Sequence, residues 1–227
     1  MSRITVACLD MAGTTVRDNG TVMAAFTAAI AERNLPVREF NQAMTYVRSA
    51  MGRSKIEVFR HVLGDTDDAR RANDSFEAHY AAAVGAGEVA PMPGAAEVFA
   101  ACRDAGVKVC LATGFSPATR DAIVAALGWA GLVDLVLSPA DAGRGRPWPD
   151  LPLTALLRLR GGSVRELAVC GDTPSDIESG LRAGAGVVAG VLTGAATRAE
   201  LAANAAGLPG EPLILDSITD LLPHLIS

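Results

Sequence analysis

Short apolar runs that stop at acidic or hydroxyl residues, each followed by a helix-like stretch, constrain this chain more than any other feature. Residues 4–9 stop at Asp10, residues 107–112 at Thr113, and residues 167–170 at Gly171-Asp172. Three further runs, 132–137, 187–191 and 213–215, belong to the same pattern. Helical spacing fills 95–105, 117–127, 151–159, 175–183 and 198–203. Uninterrupted apolar strands alternating with helices predict an α/β fold whose parallel sheet is covered on both faces. Ligands in such folds sit at the carboxyl ends of the strands. That is where Asp10, Thr113 and Asp172 fall.

One segment departs from the alternation. From about residue 19 to residue 89 there is no convincing strand, and Val22, Phe26, Ile30, Val58, Phe59 and Val62 recur at helical spacing. The turn-rich Ala90-Pro91-Met92-Pro93-Gly94 closes it. The expected architecture is a Rossmann-like parallel-sheet core, residues 1–18 and 92–227, with an inserted all-helical cap at 19–91. Hinges are expected near residues 18–20 and 91–94. Such an insertion can act as a lid over the strand ends.

Composition sets the outer bounds. A chain of 227 residues, half of them apolar, can bury a full core without staples. A net charge of −5 and no basic run argue against nucleic acid as a partner. The uncharged stretch 183–197 is Gly-rich and shorter than the roughly 18 residues a membrane span needs, so no membrane partner is expected. Cys8, Cys102, Cys110 and Cys170 are dispersed, and Asp10 comes too early for a signal sequence. Both points favour a reducing cytoplasm. A homodimer is left open.

Five groups of residues carry the chemistry. Asp10, before Met11-Ala12-Gly13-Thr14-Thr15, can ligate a hard cation or attack phosphorus, while Gly13 lets the loop turn. Asp172 and Asp176 make half of an oxygen shell for Mg²⁺, unless Ser175 or Asp172 serves only as a helix cap. Two like-charged clusters on one crevice need a cation to coexist. Thr113-Gly114 offers a hydroxyl and a free N–H to a phosphate, and Arg146 offers a loop cation. Lys55 opens a helix in which Ser54 and Glu57 have capping-box spacing. It shares an apolar face with Val58, Phe59 and Val62, where desolvation and the helix dipole lower an ammonium's pKa. Such an amine can form a Schiff base, although a snorkelling lysine gives the same pattern. His61, His79 and His224 lack ligand spacing, Trp129 reads as packing, and Trp148 reads as a residue of the crevice mouth.

The ordered set resembles the haloacid dehalogenase superfamily of Mg²⁺-dependent phosphotransferases. The resemblance implies Asp10 as a nucleophile that becomes an aspartyl-phosphate. It implies Thr113, Gly114 and Arg146 around the phosphoryl group. It also implies Mg²⁺ on Asp10, Asp172, Asp176 and the backbone carbonyl of Ala12. Phosphatases of that superfamily usually carry a second Asp where this chain has Ala12. Asp-x-Ala-Gly-Thr-Thr, Met51-Gly52-x-x-Lys55-Ile56 and Gly145-Arg146-Pro147-x-Pro149 are similar to the phosphonatase branch. There a cap lysine forms an imine with an aldehyde phosphonate, so no acid is needed at position 12. Met11, Val58, Phe115 and Thr21 depart from the branch's Trp, His, hydroxylated aromatic and Cys. The implied activity is hydrolysis of the C–P bond in phosphonoacetaldehyde or a relative, with a phosphate-ester phosphatase as the alternative.

Overall fold

The computed structural model describes residues 3–203 and 207–226. Residues 1, 2, 204–206 and 227 of the expected core lie outside the described residues. The first strand, β1 (Val6–Asp10), is buried along its whole length. A two-residue strand, β2 (Val16–Arg17), leads into four helices: α1 (Thr21–Ala31), α2 (Val37–Ser49), α3 (Lys55–Leu63) and α4 (Asp67–Gly85). The chain returns through β3 (Ala90–Pro91), which pairs antiparallel with β2, Val16 facing Pro91. The two crossings of the helical insertion are thus tied together at its base, next to both expected hinges.

Alternation follows: α5 (Ala95–Asp104), β4 (Lys108–Ala112), α6 (Pro117–Ala126), β5 (Leu135–Leu137), α7 (Pro139–Ala142), α8 (Asp150–Arg158), β6 (Leu167–Gly171), α9 (Pro174–Ala183), β7 (Val187–Val191), α10 (Arg198–Ala203), β8 (Leu213–Leu215) and α11 (Leu222–Leu225). The six-stranded parallel sheet has the order β5-β4-β1-β6-β7-β8. Strand β5 is shorter than the apolar run 132–137, because Leu132 closes a turn onto Trp129 before pairing begins. Among the described residues no helix is long and apolar enough to cross a membrane.

Side chains alternate across the sheet as a strand's period of two requires. Val6, Cys8, Cys110, Leu137 and Val169 pack on one face with Leu151 and Leu156. Ala7, Leu9, Val109, Leu111 and Cys170 pack on the other with Val98, Phe99, Ile123 and Trp129. Trp129 is packing, its ring edge-on to Phe99 at 5.2 Å. All four cysteines are free and buried, small hydrophobes in effect. The insertion has its own aromatic centre, Phe26, Phe59 and Phe76, with rings 4.6–6.1 Å apart. That cluster is continuous with the core through Phe115, which follows β4.

The order places β1 between β4 and β6, with Asp10 level with Ala112 and Leu9 level with Cys170. The loops after β1, β4 and β6 therefore leave the sheet side by side.

Candidate active site

Asp10, Asp172 and Asp176 converge at these adjacent strand ends. Each offers a carboxylate oxygen within 4.8 Å of the others, and all three are buried. The loop after Asp10 is tightly wound: Thr15 Oγ1 donates to the Asp10 carbonyl at 2.8 Å, and the N–H groups of Thr14, Thr15 and Val16 converge on the Met11 carbonyl. Gly13 sits at φ +86°, and a β-carbon there or on Gly194 would run into the Asp172 carboxylate. The helix that starts at Pro174 is capped by Thr173, whose N–H donates to Asp176 Oδ2 at 3.1 Å in a reciprocal capping box. The capping role expected of Ser175 or Asp172 thus belongs to Thr173 and Asp176. Asp172 stays free of it, and its Oδ1 accepts from Thr14 Oγ1 at 3.4 Å.

Arg146 is a buried member of the cluster, not a loop-surface cation. Its Nη1 donates to Asp10 Oδ1 at 2.6 Å and also to Asp176 Oδ1. Its Nη2 is buried with no partner among the described residues. Burial opposes the charge of Arg146, but Asp176 and Asp10 outweigh it and raise its pKa. Burial lifts the Asp10 carboxyl to about 6 against the pull of Arg146, with Asp176 adding to the lift. Burial and then the charges of Asp10 and Asp176 hold Asp172 well above the usual carboxylate range. Three ionised carboxylates facing one guanidinium leave the cluster two charges short of neutrality, which one divalent cation supplies. The all-oxygen donor set suits a hard ion such as Mg²⁺. The space kept open by Gly13 and Gly194 suits it too.

Thr113 and Gly114 follow β4 beside this cluster. The N–H of Thr113 is committed to the Leu137 carbonyl at 3.0 Å, and its Oγ1 accepts from the Phe115 N–H at 3.2 Å. The free N–H expected here is that of Gly114, which has no partner among the described residues. Gly114 also permits a close approach: a β-carbon would collide with the Arg53 carbonyl. A β-carbon on Gly52 would collide in the same way with Thr173 Oγ1. The loop before α3 therefore lies directly on the strand-end loops.

That docking buries Lys55. The Lys55 N–H donates to the Gly114 carbonyl at 3.2 Å. Its side chain is 6% exposed and makes no ion pair among the described residues. Nζ lies 4.9 Å from the ring centre of Phe115 and 5.8 Å from that of Phe26. Burial pulls its pKa down to about 8, and Arg146 adds to the pull against Asp10, Glu77 and Asp18. This is a desolvated amine, not a snorkelling one. Val58 and Phe59 share its buried face, while Val62 is only partly covered. The expected capping box does not form: Ser54 makes no side-chain cap. Ser54 is buried against Gly145, and the Gly114 carbonyl accepts from the helix's first N–H.

Glu77, from the middle of α4, was not legible in the sequence as a site residue. Its carboxylate accepts from the Ser116 N–H at 3.3 Å, from Ser116 Oγ at 2.6 Å and from Thr119 Oγ1. It thus holds the insertion against the N-terminus of α6. Nothing in the exposed, charged pattern of α4 marks Glu77 before its tertiary partners are known. Thr193, whose Oγ1 donates to the Gly13 carbonyl at 2.6 Å, was missed for the same reason. The histidines stand apart, His61 stacked on Tyr46 and His79 against Glu32. The guanidinium groups of Arg144 and Arg182 lie over the Trp148 ring, 4.4 and 5.0 Å from its centre.

Residues 4–184 match the sequence model of the haloacid dehalogenase-like hydrolases. This chain belongs to that family. It is 27% identical over 200 residues to the phosphonoacetaldehyde hydrolase of Parabacteroides distasonis, covering 80% of this chain and 74% of that one. It is 29% identical over 162 residues to the plasmid CbbY protein of Cupriavidus necator. That match covers 66% of this chain and spans 64% of the CbbY length. A crystal structure of a phosphonoacetaldehyde hydrolase-like protein from Oleispira antarctica superposes with a TM-score of 0.78 at 25% identity, covering 99% of this chain and 92% of that one. The haloacid dehalogenase-like hydrolase described here is therefore an enzyme with a Rossmann-like core and a helical cap.

Proposed function

We propose that this hydrolase cleaves the carbon–phosphorus bond of phosphonoacetaldehyde or a related aldehyde phosphonate. The observation that carries the reading is the buried, unpaired amine of Lys55, docked over the loops that bear Asp10 and Thr113. With a pKa of about 8, about a tenth of Lys55 is free amine at pH 7. That amine adds to the aldehyde and forms an imine. Once protonated, the imine accepts the electron pair of the breaking C–P bond and becomes an enamine. Asp10 takes the phosphoryl group, and water then releases phosphate from it.

The neighbouring residues have matching roles. The unpartnered Nη2 of Arg146, the free N–H of Gly114 and the Thr113 hydroxyl receive phosphoryl oxygens. Asp10, Asp172, Asp176 and the Ala12 carbonyl would hold Mg²⁺, which when bound neutralises charge at the phosphoryl group. Ala12 cannot protonate a leaving group, and an enamine carbon leaving into the imine needs no such proton. Residues 19–91 act as the cap that carries the amine, and 1–18 with 92–227 act as the phosphoryl-transfer core. The name of the Parabacteroides relative supports this substrate, and the four unpaired thiols support a cytoplasmic setting.

A phosphate-ester phosphatase is the second reading, favoured by the likeness to CbbY. Borohydride reduction in the presence of phosphonoacetaldehyde separates the two. A mass increase on the peptide carrying Lys55 is expected. No adduct, together with rapid phosphate release from simple phosphate esters, would move the assignment to the second reading.

A further inference from the structure

Tyr80 lies one turn beyond Glu77 on α4 and is 1% exposed. Its ring packs against Phe115 at 4.4 Å and Phe76 at 6.2 Å between centres. Lys55 Nζ lies over the same Phe115 ring. The amine and the phenol thus share one aromatic neighbour. They also share charges: Asp10 and Asp18 act on both. Both groups border the Phe115 ring.

The Tyr80 hydroxyl has no hydrogen-bond partner among the described residues. Glu77, its neighbour along α4, is already committed to Ser116 and Thr119. Phe26 and Phe115, the rings beside the amine, carry no exchangeable proton, and neither does Val58 on the next turn of α3. Imine formation nevertheless needs a proton delivered to the aldehyde oxygen.

We propose that the Tyr80 hydroxyl is a catalytic group of this hydrolase, donating to the aldehyde oxygen of the substrate as Lys55 adds to the aldehyde carbon. The inference rests on the C–P cleavage reading above. In the addition, the Lys55 lone pair forms the C–N bond while the C=O π pair moves to oxygen. That oxygen takes the phenolic proton, and the phenolate recovers one from nitrogen. In the dehydration, the phenol protonates the departing hydroxyl and the remaining N–H proton returns to the phenolate. Amine plus aldehyde give imine plus water, and Tyr80 ends as it began. Burial, then the charges of Asp18 and Asp10, raises the pKa of Tyr80, so it meets the substrate as a donor.

Tyr80→Phe tests this, because it keeps the ring and deletes an oxygen that has no hydrogen-bond partner among the described residues. The measurements are the rate of borohydride-trapped adduct at Lys55 with phosphonoacetaldehyde, kcat, and the melting temperature. The expected result is a trapping rate and kcat lowered about 100-fold, with the melting temperature unchanged. Trapping by Tyr80→Phe at the wild-type rate overturns the role of Tyr80 and leaves the imine reading standing. No adduct on the wild-type enzyme overturns both.

Discussion

The two halves of the site are built in opposite ways. The acidic half sits on the ends of neighbouring parallel strands, and two of its three carboxylates are paired: Arg146 bridges Asp10 and Asp176. The amine half sits on a short helix of the insertion, and its amine lies over two rings with no ion pair among the described residues. Strand ends in a parallel sheet are brought together by backbone pairing, so the acids are placed whatever the insertion does. Lys55 reaches its place only because the cap lies down on the core, through Gly52, Gly114 and Glu77. On the proposed reaction, the contrast corresponds to a fixed phosphoryl-binding half and a delivered carbonyl-binding half.

Asp10→Asn strikes the fixed half hardest. Phosphate release is expected to fall at least ~10⁴-fold. Adduct formation at Lys55 should survive, because the amine does not need that carboxylate. Loss of trapping along with turnover would merge the two halves into one unit.

Lys55→Met strikes the delivered half. Turnover of phosphonoacetaldehyde is expected to fall about 10³-fold or more. Stabilisation by Mg²⁺ in a thermal melt should remain, since its ligands are elsewhere. Asp172→Asn should do the reverse to that melt, losing the Mg²⁺ shift while relieving repulsion in the metal-free protein. For the wild type, kcat/KM should rise with pH and level off above about 8, as Lys55 loses its proton. A flat profile through that region would remove the free amine from the mechanism.

Lys55→Met should also stabilise the fold. The folded pKa of about 8 lies below the ordinary 10.5, so the unfolded chain binds more protons between these values. Burial of the ammonium costs about 3 kcal/mol below pH 8, and this cost disappears as pH rises towards 10.5. Denaturant melts should show the variant more stable at pH 7 and equal to wild type near pH 10.5.

The smallest effect falls on the joint between the halves. Glu77→Gln keeps the shape but loses charge-assisted bonds to Ser116 and Thr119. About a tenfold fall in kcat/KM is expected, carried mainly by KM. No change in either constant would mean that the cap is held by its apolar contacts alone.

Most of the fixed half was legible in the sequence. A buried strand that stops at Asp10 or at Gly171-Asp172 can only put its carboxylate at the sheet's edge. Lys55 was legible in part, since its place on an apolar face follows from helical spacing. Its depth did not follow, because it depends on Phe115, 60 residues away in the chain. The burial of Arg146 was hidden likewise, since a Gly- and Pro-rich loop reads as surface until two carboxylates claim its head group. The capping box at Ser54 does not form, and Ser54 is instead buried against Gly145, which the local spacing does not show. Glu77 and Tyr80 left no local trace, as one carboxylate and one ring on a long amphipathic helix resemble any others.

The order of apolar runs and their terminal residues determined the parallel sheet, the place of the crevice and the acids in it. Periodicity along one chain segment is enough for that, because strands and helices form by short-range rules. Tertiary structure alone decided which charges are paired and which are stranded. Desolvation and ion pairing depend on what arrives from distant parts of the chain, and that is set only when the cap closes on the core.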